Sequence, residues 1–259
     1  DAPALFFGDS LALDDDVLVV GWPRATVAGE FEAGSVHVYR RSGSDWAAEA
    51  TIVADRPHAY ENFGAHVALS RGTLLIATSA RTEVYVDGAG GWSRQPDLEP
   101  FDAFEISGDV VVASSSRVGC CDCGAGWDRL TILERSGGTW TTVESFEWSR
   151  CDEEDGPIAI SDDTIVRATS DGRLHVYGRC GGAWAEVDVV AAPAAFAPRS
   201  LAVRGDVAIV GAPFDPAPDE YGVAHVFVRR VGAWAYDAAL VASSRVDHDY
   251  FGRAVAVSS

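Results

Sequence analysis

Short apolar runs separated by tight turns recur along the whole chain. In the stretch from Leu201 to Trp234, Leu201-Ala202-Val203 leads through Arg204-Gly205-Asp206 into Val207 to Pro213. A polar loop follows, then Ala224 to Val228, and a fourth run starts at Trp234. The same landmarks repeat elsewhere. Leu13, Leu69, Ile106, Ile160, Val203 and Val257 occupy equivalent first-strand positions, and Val19, Leu75, Val112, Val166 and Ile209 follow six residues later. Between them lie Asp16, Gly72, Asp109, Asp163 and Asp206, residue types that tolerate a tight hairpin. An aromatic residue or Leu stands seven residues before Trp five times: Tyr39 and Trp46, Tyr85 and Trp92, Leu133 and Trp140, Tyr177 and Trp184, Phe227 and Trp234. Successive Trp residues are 46, 48, 44 and 50 apart, the period of a four-stranded propeller blade.

The pattern therefore predicts an all-β chain, a β-propeller of four-stranded antiparallel blades at about 6–62, 63–99, 100–153, 154–196 and 197–250, with 251–259 as the first strand of a further blade. A single blade cannot bury both faces of its sheet, so neighbours must stack. Incomplete alternation, as in Val17-Leu18-Val19-Val20, fits sheets covered on both sides. Burial of the Leu13-type side chains is expected to contribute roughly 1.5 to 3 kcal/mol each. Five units and a spare strand suggest part of a six- or seven-bladed propeller.

Upstream of the first strands stand Phe7-Gly8, Phe63-Gly64 and Phe251-Gly252, and two second strands exit through Gly21-Trp22-Pro23 and Gly211-Ala212-Pro213. With these signatures the chain resembles the FG-GAP repeat family, the propeller repeat of integrin α-subunit heads and of many secreted bacterial proteins. The third and fourth units depart from it, with Pro100-Phe101 and Glu154-Asp155 where Phe-Gly belongs. The resemblance implies a non-catalytic binding propeller, secreted or held at the cell surface. It also raises Ca²⁺, which such repeats often hold in an Asp-x-Asp-x-Asp-Gly hairpin. No hairpin here has that pattern, and Asp14-Asp15-Asp16 lies in a turn too short to wrap the ion. Asp215, Asp219 and Glu220 in the fifth unit, or Asp152 to Asp155, are the remaining Ca²⁺ candidates, and no other cofactor is expected.

Composition narrows the function classes. At 259 residues and 47% apolar, the chain can bury a substantial core. Its net charge is −19 and all 20 basic residues are Arg, which opposes a phosphate-tracking surface, so nucleic acid is not an expected partner. The Arg-only usage suggests GC-rich coding and a bacterial source. No apolar run approaches the roughly 18 residues of a membrane helix. Nor is there a nucleophile elbow, phosphate loop or zinc-protease helix to nominate an enzyme.

In a meander, successive connections alternate between the two ends of the sheet. The second-to-third loops and the links between blades therefore share one end, and the two hairpin turns share the other. Steps from Gly21, Ala77, Ser114, Ala168 and Gly211 to the next third strand are 16, 6, 17, 7 and 14 residues. The first, third and fifth units thus carry long loops on one end, the expected binding surface for a protein or glycan ligand of a monomeric chain. Trp22 and Arg24, Trp127, and Asp215 with Asp219 are the candidate binding residues. On the same end lie Cys120, Cys121, Cys123 and Cys151, which could form disulfides in an oxidising compartment or remain as thiols, zinc being disfavoured by their spacing. Cys180 falls at the opposite end. Arg204-Gly205-Asp206 occupies an ordinary turn position, and His37, His175 and His225 share one repeated third-strand slot.

Overall fold

A computed structural model describes residues 6–117, 127–149, 156–215, 221–244 and 248–258. Every regular element among them is a β-strand. The first sheet comprises β1 (Ser10–Asp14), β2 (Val17–Trp22), β3 (Ser35–Ser42) and β4 (Asp45–Ile52). The second has β5 (Val67–Ser70), β6 (Thr73–Ala77), β7 (Thr82–Gly88) and β8 (Gly91–Leu98). The third has β9 (Ala103–Ser107), β10 (Val110–Arg117), β11 (Trp127–Ser136) and β12 (Thr139–Ser149). The fourth has β13 (Ile158–Ser161), β14 (Thr164–Ala168), β15 (Arg173–Cys180) and β16 (Ala183–Ala191). The fifth has β17 (Ser200–Arg204), β18 (Val207–Ala212), β19 (Val223–Arg230) and β20 (Ala233–Leu240). In each sheet the strands lie in chain order, the meander expected of a propeller blade.

The chain divides into two compact units, residues 1–110 with 136–140, and residues 111–135 with 141–259. In the first unit, Val17, Val19, Val36 and Val38 of the first sheet pack on Val67, Leu74, Ile76 and Tyr85 of the second, with Phe63 fully buried among them. In the second unit, Val166, Ala168, Leu174 and Val176 of the fourth sheet pack on Ala208, Val210 and Phe227 of the fifth, closed by Trp234.

The signature residues make the joints. A Cβ on Gly21 would come within 2.2 Å of the Gly64 carbonyl oxygen, and one on Gly34 within 2.3 Å of Phe63 O. The Phe63-Gly64 dipeptide is thus seated on the glycines of the preceding sheet, and Ser10 Oγ donates to Gly64 O at 2.8 Å. The same joint recurs in the other unit, with Phe251-Gly252 over Gly211 and Gly222 and Ser200 Oγ donating to Gly252 O at 2.8 Å. The residue before each Phe-Gly, namely Phe6, Asn62 and Tyr250, is left-handed, with φ of 67°, 54° and 52°. Residues 251–252 therefore sit as the start of a further repeat should. The expected strand after them is corrected: residues 254–258 form no ladder, because among the described residues no second strand lies alongside to accept their hydrogen bonds.

The Trp repeat also has a physical role. Trp92 Nε1 donates to Glu49 of the sheet before it at 3.0 Å, and Trp184 Nε1 donates to Glu134 at 2.8 Å. Trp234 uses its backbone N–H instead, donating to Asp188 Oδ2 at 3.1 Å. Across three of these hairpins an arginine lies on the indole: Arg41 on Trp46, Arg179 on Trp184, Arg229 on Trp234. Trp46, in the first sheet, is 42% exposed. The expected burial of Leu13 is corrected. Its side chain points away from the first core and is 64% exposed, whereas Ile106 in the equivalent position is buried.

Candidate functional site

Backbone hydrogen bonds confirm which connections share an end. Tyr60 N donates to Phe31 O at 2.9 Å, Asn62 N to Glu32 O at 3.1 Å and Phe63 N to Ala33 O at 3.0 Å, so the long loop of the first sheet runs along the link to the second. In the other unit, Gly222 N donates to Asp215 O and Phe251 N to Tyr221 O. At the opposite end, Arg41 N donates to Asp16 O, Asp87 N to Gly72 O and Arg229 N to Asp206 O, joining the hairpin turns.

On the loop end of the first unit, aromatic rings lie on this ordered backbone. Phe31 and Tyr60 meet edge to face at 5.6 Å between centroids and are 55% and 62% exposed. Phe6 and Phe7 are also exposed. Left-handed φ values at Ala28, Glu32, Tyr60 and Asn62 show how sharply this loop and link are bent. Two of these residues, Glu32 and Asn62, form one of the hydrogen bonds that hold the bend.

The nominated residues have distinct fates. Trp22 ends β2 half-buried, 5.7 Å from Phe7 and 6.1 Å from His37 between centroids. Arg24 is exposed, its guanidinium 3.8 Å from the centre of the Phe6 ring. The structure therefore pairs Arg24 with Phe6 and brings Trp22 together with Phe7 and His37. Trp127, in the second unit, opens β11 half-buried with Arg129 4.5 Å from its ring centre, and Glu147 holds that arginine. Asp215 accepts the Ala197 N–H at 2.7 Å, so its carboxylate braces a loop. Asp219 and Glu220, and Cys120, Cys121, Cys123, Cys151 and Asp152 to Asp155, lie outside the described residues. Among the described residues no group of three or more acidic, His or Cys side chains converges as metal ligands.

Two sequence features resolve into structural parts. Asp206 of the Arg204-Gly205-Asp206 turn is held by Arg229 at 2.6 Å. The repeated His slot is a half-buried or buried polar position: His175 meets Glu186 at 2.7 Å, and His225 stacks on Phe196. In the second sheet the slot holds Glu83, fully buried and bound by Arg81 at 2.7 Å, Arg94 at 3.0 Å and the Tyr85 hydroxyl at 2.9 Å. Burial, then the bond to Glu83, push the Tyr85 hydroxyl well above its ordinary range.

The sequence reading passed over Phe31 and Tyr60. Their signal was present, two aromatics on polar connecting segments outside every repeated slot. It also passed over a groove of about 310 Å³ along β1, β5 and the residues before them, lined by Asp9, Leu11, Leu13, His66, Leu69 and Glu105 among others. There the imidazole of His66 donates through Nε2 to Phe104 O at 2.7 Å, with Glu105 Oε1 3.8 Å away.

No family profile matches the chain, and no curated protein does. Solved structures match its fold. A functionally unknown protein from Desulfotomaculum acetoxidans DSM 771 superposes with a TM-score of 0.59 at 14% identity, over 93% of this chain and 73% of that one. Hsv2 from Kluyvelomyces marxianus gives 0.55 at 10% identity, over 91% and 62%. The WD40 domain of Neurospora crassa Pan2 gives 0.52 at 10%, over 92% and 68%. The chain spans less than two thirds of some of these structures, 62% for Hsv2 and 60% for the N-terminal domain of Nup159. The fold is a β-propeller fold.

Proposed function

We propose that the chain is a non-catalytic binding propeller of the FG-GAP type that engages a protein partner through the loop end of its first sheets, outside the cell or at its surface. The observation that carries this reading is the exposed Phe31 and Tyr60 pair on a hydrogen-bonded loop and link. Rigid aromatic anchors lose little conformational freedom on binding and are frequent hot spots, as is arginine. The Arg24 and Phe6 contact supplies a second anchor on the same sheet. The Phe-Gly joints over Gly21 and Gly211 support the FG-GAP reading, because they give its signature residues a steric reason. The compartment comes with that family resemblance.

A glycan ligand is the second reading, with Trp22 and Trp127 as the rings on which a sugar would stack. Both are half-buried beside another ring or a guanidinium, which favours the protein partner. Selection of a random phage-displayed peptide library on the protein, alongside a glycan array, separates the two. The proposal expects peptides that compete for one surface and lose binding to a Phe31→Ser/Tyr60→Ser variant. Sugar binding that disappears in Trp22→Ala or Trp127→Ala would replace it.

A further inference from the structure

The inner strands contain one slot filled alike in four sheets. Counted from the equivalent apolar positions, Ala12, Ala68, Ala159 and Ala202 occupy it, and Ala256 follows in the partial repeat; in the third sheet it holds Glu105. The slot two residues earlier is variable: Ser10 and Ser200 close the Phe-Gly joints there, the third and fourth sheets hold Ala103 and Pro157, and the second holds His66. His66 and the Glu105 departure fall on the same groove, with His66 Nε2 and Glu105 Oε1 3.8 Å apart. A position where a repeat breaks its own rule at an energetic cost is where function is expected.

The cost here is that of a partly desolvated carboxyl, since the Glu105 side chain is still 41% exposed. Among the described residues, the ionisable side chains facing Glu105 along the groove are Asp9, ahead of β1, and His66, ahead of β5. Neither supplies a positive charge. Burial lowers the proton affinity of His66, and its Nε2–H is committed to Phe104 O, so the ring stays neutral near pH 7. Desolvation raises the Glu105 carboxyl to about 7. Leu11, Leu13 and Leu69 lie beside these groups in a lining that is otherwise mostly polar. Carboxylates beside exposed leucine side chains match a cation on an alkyl stem, and the net charge of −19 draws such cations toward the protein.

We propose that this groove binds an alkylammonium group, with Glu105 and Asp9 receiving the ammonium and the leucines its methylene stem. The group could be a free aliphatic diamine or the lysine side chain of a protein. The proposal stands apart from the loop-end partner, since it uses none of the same residues.

Calorimetric titration of the whole protein at low salt with 1,5-diaminopentane, and separately with a short lysine-containing peptide, tests it. Saturable binding is expected for at least one probe, and the tighter one identifies the source. Affinity should be about tenfold higher at pH 8 than at pH 6, because a carboxyl titrating at about 7 goes from about one-tenth to nine-tenths ionised across that range. Glu105→Ala restores the side chain the other sheets carry, so it should fold, and it should lose about tenfold or more in affinity together with the pH dependence. Absence of saturable binding by both probes at pH 8 would overturn the proposal. So would binding that Glu105→Ala leaves unchanged in strength and pH profile.

Discussion

At the residue scale, glycine is required where one sheet's backbone meets the next. Gly21 is such a position, because a side chain there strikes the backbone of Gly64 as well as Ser10 Oγ, and the backbone cannot move aside. Gly21→Ala should lower stability by about 2 to 4 kcal/mol, read as a reduced urea midpoint, whereas Gly43→Ala meets nothing within 4 Å and costs only its left-handed backbone strain, on the order of 1 kcal/mol. Glu105 gives a pH-dependent prediction. Its carboxyl titrates near 4.5 when free and at about 7 in the fold. The fold therefore favours the protonated form, the penalty is absent below pH 4.5, grows between 4.5 and 7, and is complete above 7. With 41% of the side chain exposed, solvent softens that penalty, so Glu105→Gln should raise the melting temperature slightly at pH 8 and leave it nearly unchanged at pH 4.

At the element scale, Trp92, Trp184 and Trp234 each fasten their sheet to the one before. Trp184→Phe keeps the ring contact but leaves Glu134 short of a donor, and should cost about 0.5 to 1.5 kcal/mol. Trp46→Phe should cost less, since Trp46 is 42% exposed. Equal losses in the two variants, measured by urea denaturation, would mean that the Trp repeat stabilises its own hairpin alone. The strands, hairpin turns and Trp spacing were legible in the sequence because each depends on local periodicity. Which face of a sheet finds a neighbour is not local, and for that reason Leu13 looked like core in the sequence and is exposed in the fold. The Glu83 network was hidden in the same way: its three partners, Arg81, Tyr85 and Arg94, converge only once β7 and β8 pair.

At the scale of the whole molecule, alternation of connections assigned the loop end correctly from chain order alone, as the bonds from Tyr60 and Asn62 to Phe31 and Glu32 bear out. It did not identify the residues exposed there. Trp22 was conspicuous by type, but whether a ring is open or covered depends on contacts such as that with Phe7. The central functional claim is that binding is concentrated on the Phe31 and Tyr60 surface, and it is tested most directly by isotherms of the selected peptides on three proteins. These are the unaltered chain, Phe31→Ser/Tyr60→Ser, and Arg204→Ala at the opposite end. The account predicts an affinity loss of about tenfold or more in the double variant, in line with truncation of a hot spot, and none in Arg204→Ala, with melting temperatures alike. Peptides that bind the double variant as tightly as the unaltered chain, or that fail only on Arg204→Ala, would contradict it.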